Sequence, residues 1–221
     1  IDPGVESAVL KAINVLEELG AQIDWNASLS YSPYALAVYY IIAPSEASAN
    51  LARYDGVKYG FSQEGSTIWE ALERTKNEGF GPEVKRRIML GTHALSTGYY
   101  EAYYKKAQQV RTLIRNEFQQ AFEKYDAIVG PVSPTTAFTL GEKLEDPVQM
   151  YLSDICTIPA NIAGTPAMSL PCGFSDGLPV GMQLMGASLA ESTLLRIGYA
   201  YQKATDWHIR RPTVKIDGED G

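Results

Sequence analysis

The sequence has 221 residues, 45% of them apolar, and its 19 basic and 26 acidic side chains give a formal net charge of −7. That apolar content supports one sizeable core, or a large part of one, and excludes a disordered chain. The acidic balance argues against a broad basic nucleic-acid face, no run approaches the roughly 20 apolar residues of a membrane-spanning helix, and no basic-then-apolar leader opens the chain, so a soluble, cytoplasmic protein with no membrane contact is expected.

The chain begins at Ile1 rather than Met, directly on helix-start chemistry, with Asp2 as N-cap and Pro3 at the first helical position. The sequence is therefore expected to be a piece of something longer. Val5, Ala8, Val9, Ala12, Leu16 and Leu19 recur at helical spacing, and Gly20 is the stop. Ala21 to Leu29 reads as a weak strand or loop. Pro33 to Pro44 is apolar with the adjacent pair Tyr39 and Tyr40, and its periodicity leaves helix and strand both open. Ser45 to Gly56 is rich in small residues and suits a closely packed helix ending near Gly56.

A short helix is expected over Ile68 to Arg74, and Glu83 to Leu90 opens another. On that helix Lys85, Arg86 and Arg87 fan over most of a turn, so one can point inward while the others stay solvated. The usual reading is an exposed charged face, but an inward arginine offers a planar fork suited to a carboxylate. Glu101 to Tyr125 reads as a long helix with Val110, Ile114, Phe118, Ala121 and Tyr125 as its stripe. Ala127 to Val129 follows as a buried strand that runs into the stiff loop Gly130 to Phe138, and strand ends in α/β sheets are where sites gather. Thr139 to Pro147 reads as a mobile acidic connection.

The stretch from Ser153 to Gly173 holds one isolated acid, Asp154, among three prolines and two glycines. On spacing alone Asp154 reads as a helix-capping or solvated acid rather than a ligand contact. Ala167 to Leu170 is expected as a short buried strand, Val180 to Gly186 as another, and Ser188 with Glu191 as the capping box of a helix through Leu194, Leu195 and Tyr201. Residues 1–211 are expected to form the folded part, with a polar, disordered tail over 212–221. Cys156 and Cys172 lack metal or redox CxxC spacing and are expected as buried thiols. His93 and His208 stand far apart with no acid at motif spacing, and no nucleophile elbow, zinc-helix or phosphate-loop motif is present. From the residues alone, a helix-rich α/β scaffold with a polar cleft follows, and no reaction.

Four blocks add a resemblance. Tyr39 to Gly56, Val84 to Thr92, Gly98 to Gln108 and Asp126 to Pro131 closely resemble the A-subunit family of glutamyl-tRNA(Gln)/aspartyl-tRNA(Asn) amidotransferases, within the amidase signature enzymes. The likeness runs from the first helix to Asp206-Trp207-His208 and covers only the C-terminal part of those proteins. It implies the C-terminal part of the amidase signature fold, an α/β structure with a mixed β-sheet covered by helices. Enzymes of this family carry two serines and a lysine on a Gly/Ser-rich stretch in the N-terminal part. No such stretch occurs here, so no catalytic residue is assigned and the isolated chain is expected to be inactive.

What the resemblance implies for these residues is a grip on the head of glutamine. By position in the matching blocks, Arg87 is the fork for the α-carboxylate, Asp154 the partner of the α-ammonium, and Tyr39 lines the pocket, with Tyr40 as the alternative. The family releases ammonia from glutamine and amidates the glutamyl or aspartyl group on misacylated tRNA. It implies a heterotrimer with amidotransferase subunits B and C in the cytoplasm, or in an organellar matrix if eukaryotic. ATP, Mg and most of the tRNA contact belong to the B subunit, which leaves no cofactor in this chain. Two other readings stay open: an amidase signature hydrolase acting on a neutral amide, and a non-catalytic interaction fragment.

Overall fold

The computed structural model describes residues 1–143 and 147–212. Residues 213–221 of the expected tail, and residues 144–146 of the expected acidic connection, lie outside them. The chain separates into two compact units, Ile1–Leu29 with Phe118–Gly221 and Ser30–Glu117.

In the first unit, helix α1 (Pro3–Glu18) starts where the sequence places it, with the Asp2 carboxylate accepting the Gly4 amide at 2.8 Å. It ends by a backbone device: Gly20, at φ +99°, donates to the Glu17 carbonyl and Ala21 donates to that of Leu16. The buried face comprises Val5, Ala8, Val9, Ala12, Ile13 and Leu16. Leu19, expected in that stripe, is the cap residue and is 49% exposed.

That face packs on a sheet of β1 (Ile128–Pro131), β2 (Ala167–Ser175) and β3 (Leu178–Met185), in the order β1-β3-β2. Strands β2 and β3 form a hairpin turned by Asp176 and Gly177, whose φ values of +51° and +79° suit an Asp-Gly primed turn. The α/β class is as expected, but the mixed pairing is not found among the described residues. Both β1 and β2 run antiparallel to β3, so they share a direction without pairing. Strand β3 is buried over most of Val180–Met185, but the burial expected of the other two strands is only partial. As an edge strand, β1 is only half-buried, and β2 alternates, with Leu170 and Cys172 inward and Ser169 and Pro171 outward. Pro171 fits because β2 is the other edge, and a bulge separates it from Gly173.

Helix α8 (Glu191–Ala204) closes the core with Leu194 and Tyr201, while Leu195, one residue round the helix, is 62% exposed. The expected capping box does not form. Glu191 is the first helical residue instead of the third, so its side chain is on the wrong turn to reach back to Ser188. Cys172 is buried in this core, and burial pushes its thiol up to about 11. Cys156 is only half-buried, though its thiol is also pushed up by burial.

In the second unit, the undecided apolar run becomes helix α2 (Ala35–Leu51), which continues through Pro44 and stops five residues before Gly56. An internal proline costs a helix about 3 kcal/mol, which packing must offset. The packing comes from α4 (Pro82–Leu95): Ser48 Oγ lies 2.8 Å from Thr92 Oγ1, and Gly91 sits against Pro44 so closely that a Cβ would fall 2.0 Å from the Pro44 carbonyl oxygen. Helix α3 (Ile68–Gly79) runs a turn beyond expectation, with Thr67 Oγ1 accepting the Glu70 amide. The expected long helix begins as a π-turn over Glu101–Lys105 and continues as α5 (Lys106–Phe122), with Ile114 and Phe118 fully buried. The boundary between the units falls inside α5.

Candidate functional site

Of the three adjacent cations on α4, each has a different fate. Lys85 Nζ donates to the Asn77 carbonyl and Oδ1 at 2.6 and 2.7 Å, and Arg86 stays exposed and pairs with Glu83. Arg87 is the one turned inward, with its side chain 31% exposed. Its Nε donates to Glu83 Oε1 at 2.9 Å, and its Nη1 reaches the Tyr39 hydroxyl at 3.5 Å. Its Cζ lies 6.0 Å from the Tyr40 ring centroid, and the two tyrosine rings meet edge to face at 5.0 Å.

The choice between Tyr39 and Tyr40 thus resolves into two kinds of contact. Tyr39 meets the guanidinium with its hydroxyl and Tyr40 with its ring. Burial works against the guanidinium charge, but the hydrogen bonds with Glu83 and Tyr39 outweigh it and hold the group above the ordinary arginine range. A fixed cation results. Glu83 takes the Nε edge, and Nη2 makes no hydrogen bond among the described residues, so the Nη1–Nη2 end is the part of the fork with capacity to receive an anion.

Asp154 belongs to the other unit. It is exposed, on the turn between α6 (Pro147–Leu152) and α7 (Ile158–Ala163). Its carbonyl accepts the amides of Thr157 at 3.1 Å and Ile158 at 3.0 Å, and no hydrogen bond reaches its carboxylate among the described residues. The helix-capping reading therefore fails: the N-cap of α7 is Thr157, and the backbone of Asp154, not its side chain, builds the turn. On the inner side of that turn, Gln183 of β3 is 5% exposed and donates to the carbonyls of Cys156 at 2.6 Å and Pro131 at 2.9 Å.

The histidines have structural neighbours, the His93 ring lying tilted against Tyr99 with centroids 4.2 Å apart and His208 lying in a short turn over Trp207–Ile209. Among the described residues no three His, Cys, Asp or Glu side chains are placed to hold a metal ion, and no helix is long and apolar enough to cross a membrane.

The model of one protein family, Amidase, matches residues 1–195. This chain belongs to the amidase family. Among its relatives, the A subunit of the Chloroflexus aggregans glutamyl-tRNA(Gln) amidotransferase is 62% identical over 96% of the chain, and that of Roseiflexus castenholzii is 59% identical over 99%. The chain spans 43% and 44% of the length of these two relatives. Among solved structures it is similar to the A subunit of a glutamyl-tRNA(Gln) amidotransferase from Thermotoga maritima, with a TM-score of 0.70 and 42% identity over 93% of this chain and 40% of that one. A 6-aminohexanoate cyclic dimer hydrolase matches at a TM-score of 0.73 and 21% identity, over 96% of this chain and 44% of that one, and shares the fold.

Within this chain, then, Tyr39 and Arg87 come together on α2 and α4, and Asp154 stands on a turn of the other unit. Sequence reasoning missed two residues that hold these groups. Glu83 carried a usable signal, four residues before Arg87 at helical ion-pair spacing. Gln183 carried a weaker one, a lone amide inside the apolar run Val180 to Met185.

Proposed function

We propose that this chain is the C-terminal part of the A subunit of a glutamine-dependent amidotransferase, the glutaminase part of the enzyme that converts Glu-tRNA(Gln) to Gln-tRNA(Gln), Asp-tRNA(Asn) to Asn-tRNA(Asn), or both. The arrangement of Arg87 is the observation that carries it. A half-buried guanidinium, held along its Nε edge by Glu83 and touched by Tyr39, keeps its outer edge for a planar anion such as an α-carboxylate. Asp154 is assigned to the α-ammonium, and the side-chain amide of glutamine is left to reach a nucleophile supplied by the rest of the protein. Ammonia passes to the B subunit, which holds ATP, Mg and most of the tRNA, within a cytoplasmic heterotrimer completed by the C subunit.

On this reading the 221-residue chain releases no ammonia from glutamine, since binding groups without a nucleophile form no acyl-enzyme. An enzyme-coupled ammonia assay that found turnover tracking the pure protein would sink the assignment. In the full-length protein, Arg87→Lys keeps the charge and loses the fork, so kcat/KM for glutamine falls about tenfold, corresponding to roughly 1.5 kcal/mol for one charge-assisted contact. Amidation driven by added ammonia is unchanged. An equal fall with ammonia would make Arg87 a scaffold residue or part of the coupling to the B subunit.

A further inference from the structure

A buried neutral amide in a strand of an otherwise apolar core is costly unless both of its N–H groups are used. Gln183 uses them on two segments far apart in the chain. Its Nε2 donates to the Pro131 carbonyl at 2.9 Å, at the end of β1, and to the Cys156 carbonyl at 2.6 Å, in the turn that carries Asp154. Its backbone pairs with Gly130 on one side and Ser169 on the other, so it sits on the centre strand of the sheet.

Lys143 Nζ donates to Ser153 Oγ at 2.9 Å at the start of the turn, and among the described residues the backbone–backbone hydrogen bonds of the turn are local. The Asp154 carboxylate accepts no hydrogen bond among the described residues, and the local bonds from Thr157 and Ile158 to the Asp154 carbonyl shape the turn without fixing where it lies. Ile158, Pro159 and Ala160 bury the start of α7 beyond it. Between the exposed acid and that buried start, the Cys156 carbonyl is the polar tie to the sheet.

We propose that Gln183 is a positioning residue that fixes the Asp154 turn to β3 and to the end of β1, and so sets where the carboxylate stands. The structural half of this proposal needs no functional assumption. The functional half rests on the glutamine reading given above, with Asp154 as the ammonium partner, and Gln183 acts there only through Asp154. Gln183→Met keeps the volume and shape and removes both donors.

Two measurements separate the halves. In the 221-residue chain, hydrogen exchange at the Thr157 and Ile158 amides quickens about tenfold or more in Gln183→Met, while α1 keeps its protection. Unchanged exchange at those two amides, or a rise equal throughout the chain, overturns the positioning role. In the full-length protein, Gln183→Met lowers kcat/KM for glutamine about tenfold, chiefly through KM. It leaves an analogue lacking the α-amino group nearly untouched, and adds less than about twofold in an Asp154→Asn background.

Equal losses on both substrates, or losses that multiply with those of Asp154→Asn, overturn the action through Asp154. If Asp154→Asn itself leaves discrimination between the substrates unchanged, the glutamine reading has failed, and hydrogen exchange still decides the structural half. Should Gln183→Met not fold, Gln183→Asn keeps an amide that stops one methylene short of Cys156 and is expected to shift exchange at the same two positions. No local shift in that variant overturns the proposal.

Discussion

In the full-length amidotransferase protein proposed for this chain, Asp154→Asn is expected to cut kcat/KM for glutamine roughly thirtyfold, corresponding to about 2 kcal/mol for a lost charge-assisted contact. Asparagine keeps the size and the backbone carbonyl, and it is that carbonyl which accepts from Thr157 and Ile158. The carboxylate caps nothing, so the melting temperature is expected to stay within error of the wild type. An amide substrate without the α-amino group is expected to react as before, because the interaction was never available to it. Steady-state kinetics on both substrates with a thermal melt decide the case. A lowered melting temperature with unchanged discrimination would return Asp154 to the structural residues.

The largest loss of stability from a single small substitution is expected at Gly91→Ala. Alanine favours a helix over glycine by about 1 kcal/mol, so propensity alone predicts a gain. The added methyl would lie 2.0 Å from the Pro44 carbonyl oxygen, 2.5 Å from its carbon and 2.8 Å from Ser48 Cβ, and two of these atoms are backbone. Helices α2 and α4 must part, at a net cost of about 2 kcal/mol for overpacking, or a fall of roughly 4–8 °C in a protein of this size. Gly130→Ala is the control, since a Cβ there meets nothing within 4 Å. Matching melting temperatures for the two variants would mean that the helices do not cross as described. Separation of α2 from α4 would also pull Tyr39 from Arg87, so the Gly91 variant should weaken glutamine use alongside stability.

The elements legible in the sequence were those whose signal is local. Asp2, Pro3 and Gly20 bracket α1 because capping and the left-handed stop involve neighbouring residues only. That one of Lys85, Arg86 and Arg87 can face inward was legible, because 100° per residue forbids all three from facing one way, but which one came only from the resemblance. The run around Tyr39 was not legible as a helix. It is apolar nearly all round and contains Pro44, so both periodicity and propensity are silent or adverse, and packing against α4 decides. The capping box at Ser188 matched in spacing and failed in place, because the helix begins at Glu191, the residue that the box needs a turn further in.

By itself, then, the sequence determined the α/β class, the ends of the first helix and, through the resemblance of four blocks, the amidase family. Tertiary structure alone decided which groups meet. It joined the Arg87 fork to the Tyr39 hydroxyl across 48 positions, with Glu83 on its other edge, and tied the Asp154 turn to the sheet through an amide 27 residues from Cys156. It also made the strands antiparallel and left β1 at an edge. The reason is physical: capping and amphipathic faces are written in residues a few places apart, whereas partners of a buried donor are fixed only when distant segments pack together.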